Sequence, residues 1–163
     1  MSASFKKINT ELIGISVDSL NSHLAWLYDI YLKTGLIVNF PSIADQNGVI
    51  ARKYGMISND VSSTETVRNI FIIDDKGIIR SIFVYPMNIG RYIPEILRTV
   101  TALQYSDQNN CMTPANWSPG NPMIVPPPKT FNALRERNES INKNRNGMCW
   151  YLSFKNPETK KLE

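Results

Sequence analysis

Few side chains in this sequence can make or break bonds, and they are widely scattered. Cys111 and Cys149 stand 38 residues apart. That spacing excludes a Cys-x-x-Cys redox pair, and two thiols are too few for a disulfide scaffold. His23 is the single histidine and has no cluster of cysteines or carboxylates beside it, so no metal site is expected. It falls in the first turn of an expected helix, where a structural role fits. Arg68 interrupts an otherwise apolar run, Val67 to Ile73. A guanidinium in a buried strand is costly unless it is paired or functional. Arg68 is therefore a candidate for binding an anion or a carboxylate.

These residues must be positioned by short alternating elements. Phe5 to Asn9 reads as the end of a helix. Glu11 to Val17 is a short apolar run with β-branched residues, hence a strand. Asp18 and Ser19 supply turn and N-cap chemistry, and Ser22 to Lys33 has helical apolar spacing with Gly35 behind it as a C-cap. Phe40-Pro41 reads as extended, and Val49 to Tyr54 as a short helix closed by Gly55. Val67 to Ile73 is a strand, apolar on both faces, as in a central strand covered by helices. Asp74 to Gly77 is a hairpin turn, with Ile78 to Val84 as partner strand. Pro94 to Leu103 is a helix. The class is α/β.

Composition divides the chain near Gln104. Residues 1–104 carry 10 Lys/Arg and 9 Asp/Glu, whereas residues 105–163 carry 8 and 5. Seven of the ten prolines lie after residue 105, three of them consecutive at 126–128. Prolines cannot complete regular backbone ladders. Residues 1–104 thus read as a compact body and 105–163 as an extended arm with a short helix. With 42% hydrophobic and 20% charged residues the chain is an ordinary globular one, and disorder throughout is excluded. No apolar stretch approaches the roughly 20 residues that span a bilayer. The +4 charge is scattered, without a basic helix or an aromatic-interleaved stripe, so no nucleic-acid partner is expected. A cytoplasmic address with both thiols reduced fits.

Several stretches together resemble the peroxiredoxins. They are Ile15-Ser-Val-Asp-Ser19, Ser22-His-Leu-Ala-Trp26, Phe40-Pro41, Ile43-Ala-Asp45, Ala51-Arg-Lys-Tyr-Gly55, Val67 to Asp74, Tyr85-Pro86 and Gly90-Arg91. Thr113-Pro-Ala-Asn-Trp-Ser-Pro-Gly120 and Ile124-Val-Pro-Pro-Pro128 look like the one-Cys, long-arm branch. The resemblance implies a thioredoxin-like fold with a C-terminal arm that packs on a second subunit in a homodimer. It implies a thiol peroxidase that reduces hydrogen peroxide and organic hydroperoxides. A thioredoxin- or glutathione-type reductant recycles the sulfur, and no metal or organic cofactor takes part. Arg68 matches the family's active-site arginine, and Arg91 a second, positioning arginine. The segment Met148 to Phe154 resembles the end of the long arm, which makes Cys149 a candidate resolving thiol, although the family's second cysteine there is Ser153.

The family's nucleophile sits in a Pro-x-x-x-Thr/Ser-x-x-Cys motif, and that motif does not occur in residues 1–163. The matching register places Met1 two to three turns along the helix that follows the motif. The thioredoxin-like fold is thus expected to be truncated at its N-terminus. Three origins stay open: a shortened chain, an internal start following a selenocysteine codon, and a degenerate non-catalytic protein. The expectation is little peroxidase activity from the chain alone. The second reading is an interaction module that pairs with peroxiredoxin subunits.

Overall fold

A computed structural model describes residues 2–57, 68–144 and 147–156. The chain forms two compact units, dividing between Tyr92 and Ile93. The composition break near Gln104 lies inside a helix that belongs wholly to the second unit.

In the first unit, helix α1 (Ser2–Lys6) buries Phe5. Strand β1 (Gly14–Ser16) pairs in parallel with β2 (Ser42–Ala44), Ile15 opposite Ile43. Helix α2 (Leu20–Thr34) makes the crossover between them. Ser19 caps α2, its hydroxyl accepting from the Ser22 N–H at 3.0 Å. Gly35 ends it in the left-handed region at φ 69°, its N–H bonding Tyr31 O at 2.8 Å. Helix α3 (Val49–Lys53) is anchored by buried Asp45, which accepts from the Ala51 N–H at 2.7 Å.

Strand β3 (Arg68–Ile73) and strand β4 (Ile79–Tyr85) form the expected antiparallel hairpin, with a register shift between Ile72 and Ile73. Asp74 organises the turn, accepting from Lys76 N at 3.0 Å and Ile78 N at 2.9 Å. The Ile78 N–H above all, with Arg80, holds the Asp74 carboxyl below its ordinary pKa, against a smaller effect of burial.

Three expectations change here. The strand read over Glu11 to Val17 shortens to three residues, and β2 follows Phe40-Pro41 where only extended chain was expected. Val67 lies outside the described residues. Third, among the described residues β3 pairs with β4 alone. Its apolar composition is that of a central strand, but composition cannot supply a neighbour.

The second unit opens with α4 (Ile93–Asn109), six residues longer than the apolar pattern ending at Leu103 suggests. Its polar last turns are held from outside the helix, by Ser106 Oγ–H bonding Cys111 O. The following region is more regular than its prolines suggest. Strand β5 (Met123–Val125), helix α5 (Phe131–Asn144), strand β6 (Gly147–Cys149) and strand β7 (Leu152–Lys155) build an antiparallel sheet of order β5-β7-β6. The prolines fall between these strands, where no ladder donor is needed. Trp117 and Met123 are fully buried with Ala102 and Cys111, and Tyr105 and Val125 pack against them. Tyr105 and Trp117 lie 5.4 Å apart between ring centroids, and the Trp117 Nε1–H bonds Asn121 O at 2.9 Å.

Candidate functional site

The β3–β4 register decides where the arginines lie. Residues 68, 70 and 72 share one face of the ribbon with their cross-strand partners Tyr85, Phe83 and Ser81. Arg68 is therefore directly opposite Tyr85, and Phe83 and Tyr85 stack along the same face at 6.5 Å. The turn after β4 brings the chain back: the Arg68 Nη1–H reaches Ile89 O at 3.5 Å, and Arg91 follows two residues on. Arg91 is exposed as a whole residue. Partial burial of its guanidinium nonetheless pushes its pKa below the ordinary value, the Arg68 cation adds to that shift, and Tyr85 opposes it. The structure thus brings Arg68, Arg91 and Tyr85 to one corner of the first unit. Among the described residues neither arginine makes an ion pair. Two guanidiniums close enough to repel make an electropositive corner suited to a thiolate or another anion.

His23 is tied to the loop that opens α2. Its Nε2 is 2.6 Å from Ser16 Oγ, whose own proton goes to Asp18 Oδ2 at 2.7 Å. Since the hydroxyl proton is already committed, Nε2–H is the donor. His23 Nδ1 is left as a buried acceptor without a partner among the described residues. A Ser-His-Asp nucleophile needs the opposite order, with the serine donating to the imidazole. This cluster positions the loop.

The thiols belong to the second unit. Cys111 is buried in the core of the second unit. Cys149 is half-buried at the end of β6, beside the two-residue turn Trp150-Tyr151. Tyr151 neighbours Cys149 across this turn, and the Cys149 side chain pushes the Tyr151 pKa up. Sequence reasoning missed both tyrosines as partners. The hairpin register carries the signal for Tyr85, and the tight turn carries it for Tyr151. No group of three or more His, Cys, Asp or Glu suited to a metal occurs among the described residues.

This architecture is that of a thioredoxin-like peroxidase with a C-terminal extension. The AhpC/TSA family matches residues 1–82, and the C-terminal domain of 1-Cys peroxiredoxin matches residues 102–140. Peroxiredoxin 2 of Caldanaerobacter subterraneus subsp. tengcongensis is 50% identical over 154 residues, covering 93% of this chain and 68% of the relative. Peroxiredoxin 2 of Picrophilus torridus is 47% identical over 148 residues, covering 91% and 70%. Among solved structures, a yeast mitochondrial 1-Cys peroxiredoxin, studied for thiol resolution via glutathione/thioredoxin systems, aligns with a TM-score of 0.76 at 34% identity, over 94% of this chain and 74% of that one. Peroxiredoxin 6 of Arenicola marina aligns with a TM-score of 0.75 at 30% identity, over 97% and 74%. The chain belongs to the peroxiredoxin family.

Proposed function

We propose that this chain supplies the arginine half of a peroxiredoxin active site. Arg68 and Arg91 hold a peroxidatic sulfur as its anion and orient the peroxide. The thiolate attacks one peroxide oxygen, the O–O bond breaks, and the other oxygen takes a proton and leaves as water from hydrogen peroxide or as the alcohol from an organic hydroperoxide. The sulfur is thereby oxidised by two electrons to a sulfenic acid. A thiol reductant then forms a disulfide with that sulfur, expelling water, and a second thiol releases it. The substrates are hydrogen peroxide and organic hydroperoxides, and the reductant is of thioredoxin or glutathione type. The convergence of Arg68 and Arg91 beside Tyr85 carries this reading.

The peroxidatic motif is not among the 163 residues. The chain alone therefore reduces little or no peroxide. In this reading Cys149 can take the place of the first reductant thiol, condensing with the sulfenic acid to a disulfide with loss of water that the external thiols then reduce, and residues 105–163 are the dimerisation arm. A peroxide-consumption assay with dithiothreitol tests the proposal. Background rates are expected from this chain and from its Cys149→Ser form. Robust turnover that disappears in Cys149→Ser would make Cys149 the nucleophile and overturn the assignment. Gel filtration tests the arm, with a homodimer expected; a monodisperse monomer counts against it.

A further inference from the structure

Helix α5 turns one of its arginines inward. Arg135 and Glu136 are exposed, and Arg135 reaches Glu139 at 3.7 Å. Arg137 is half-buried and, among the described residues, makes no ion pair. Its Nη1 instead donates to two main-chain carbonyls, Pro126 O at 2.6 Å and Trp150 O at 3.4 Å. A single nitrogen thus spends both its hydrogens on two segments that are distant along the chain.

Those segments leave the two outer strands of the β5-β7-β6 sheet. Pro126 follows β5 and opens the run of consecutive prolines. Trp150 is the first residue of the turn between β6 and β7, and Cys149 directly precedes it as the last residue of β6. The hairpin has little else to hold it. Its strands have three and four residues, and their register shifts between Gly147 and Cys149. A ladder this short is marginal by itself. A hydrogen bond from a cation is stronger than a neutral one, so the guanidinium is the firmest tie on the turn.

We propose that Arg137 is a positioning residue for Cys149. It ties the turn at Trp150 O to the end of β5 at Pro126 O, and so keeps the thiol half-buried in one place. The task of the thiol rests on the reading of Cys149 given above. The clamp itself rests on the two bonds of Arg137.

The test is alkylation of the 163-residue chain by iodoacetamide at fixed pH, with each cysteine followed by mass spectrometry of its peptide. Cys149 reports the hairpin, and Cys111, buried in the core, reports opening of the whole unit. Arg137→Met keeps an apolar stem and removes both donors. It is expected to speed alkylation of Cys149 about tenfold and to leave Cys111 unchanged. Arg137→Lys again places several donors on one nitrogen, and is expected to restore most of the protection. The proposal is overturned by an unchanged Cys149 rate in Arg137→Met, or by equal acceleration of Cys111, which would make Arg137 merely part of the fold. It is also overturned if Arg137→Lys reacts as fast as Arg137→Met. Alkylation does not depend on Cys149 resolving a sulfenic acid, so a failed clamp is told apart from a failed resolving role.

Discussion

The two units of the chain bury their apolar residues to different degrees, and in the reverse of the order that composition suggests. Residues 105–163 hold seven of the ten prolines and read as an arm. Yet the second unit contains the two large side chains that are fully buried, Trp117 at 1% exposure and Met123 at 0%. Residues 1–104 read as a compact body. In the first unit, however, Leu24, Trp26, Tyr28, Ile82 and Val84 all stand more than half exposed. The difference separates two properties. Apolar content states how much surface a segment needs to cover, whereas a closed core needs the covering element to be present. The second unit has its covering elements within its own residues. The first has the composition of a sheet interior, but its described strands form two separate pairs, β1–β2 and β3–β4.

If this contrast is sound, core truncation should be most damaging in the second unit. Trp117→Ala removes the ring packed at a tilt against Tyr105 and the bond to Asn121 O, and Arg98 Nη1–H loses the fixed position of its acceptor, Trp117 O at 3.0 Å. A cost of about 3–5 kcal/mol is expected, read as the urea midpoint by circular dichroism. A midpoint unchanged by Trp117→Ala would break the comparison. Next in size is Gly147→Ala. A Cβ there would lie 2.8 Å from Ser153 Cα and 3.0 Å from Leu152 O, both backbone atoms of β7 that cannot swing aside. Overpacking of this kind is expected to cost about 1–3 kcal/mol in the same measurement and to loosen the hairpin that carries Cys149.

How far the sequence reaches depends on whether the information is local. The N-cap Ser19, the C-cap Gly35 and the Asp74–Gly77 turn are legible because each is made by residues within a few positions. The family itself is legible from ordered short stretches, and Arg68 stands out because a cation is anomalous in an apolar strand. The neighbour of β3 is not legible, because Ile70 to Ile73 describe a requirement and not its fulfilment. The β5-β7-β6 sheet is missed because its strands have only three or four residues each, too short for periodicity to show, and lie among prolines. Tyr85 escapes notice because its position opposite Arg68 follows from the hairpin register, which a shift near the turn displaces.

Acid provides a smaller test of the second unit. Arg98 grips Glu95 with two bonds, Nε–H at 2.6 Å and Nη2–H at 2.7 Å. These hold the Glu95 carboxyl below its ordinary pKa; burial opposes the shift and Thr99 supports it. A carboxylate depressed in the folded state contributes stability above its unfolded pKa, and that contribution fades as pH falls through the lower folded value. The side chains are about a third exposed, so the pair is worth at most about 1 kcal/mol after solvent screening. The urea midpoint of the native chain should therefore fall more between neutral pH and pH 3 than that of Glu95→Gln. Parallel curves would remove this contribution.

The smallest expected effect is the sharpest on the comparison itself. Val84 is 66% exposed on the outer strand of the first unit, opposite Asn69. In a closed sheet face, lysine at such a position would strand a charge among apolar groups and cost several kcal/mol. On an open face its stem lies along the sheet and its ammonium stays in water, so the change should fall within about 0.5 kcal/mol. Val84→Lys is therefore expected to leave the urea midpoint of the 163-residue chain unchanged within error. A large loss would mean that this face is covered in solution, for example by a second copy. Gel filtration of the variant against the native chain separates those cases, since uncovering such an interface would also shift the elution volume.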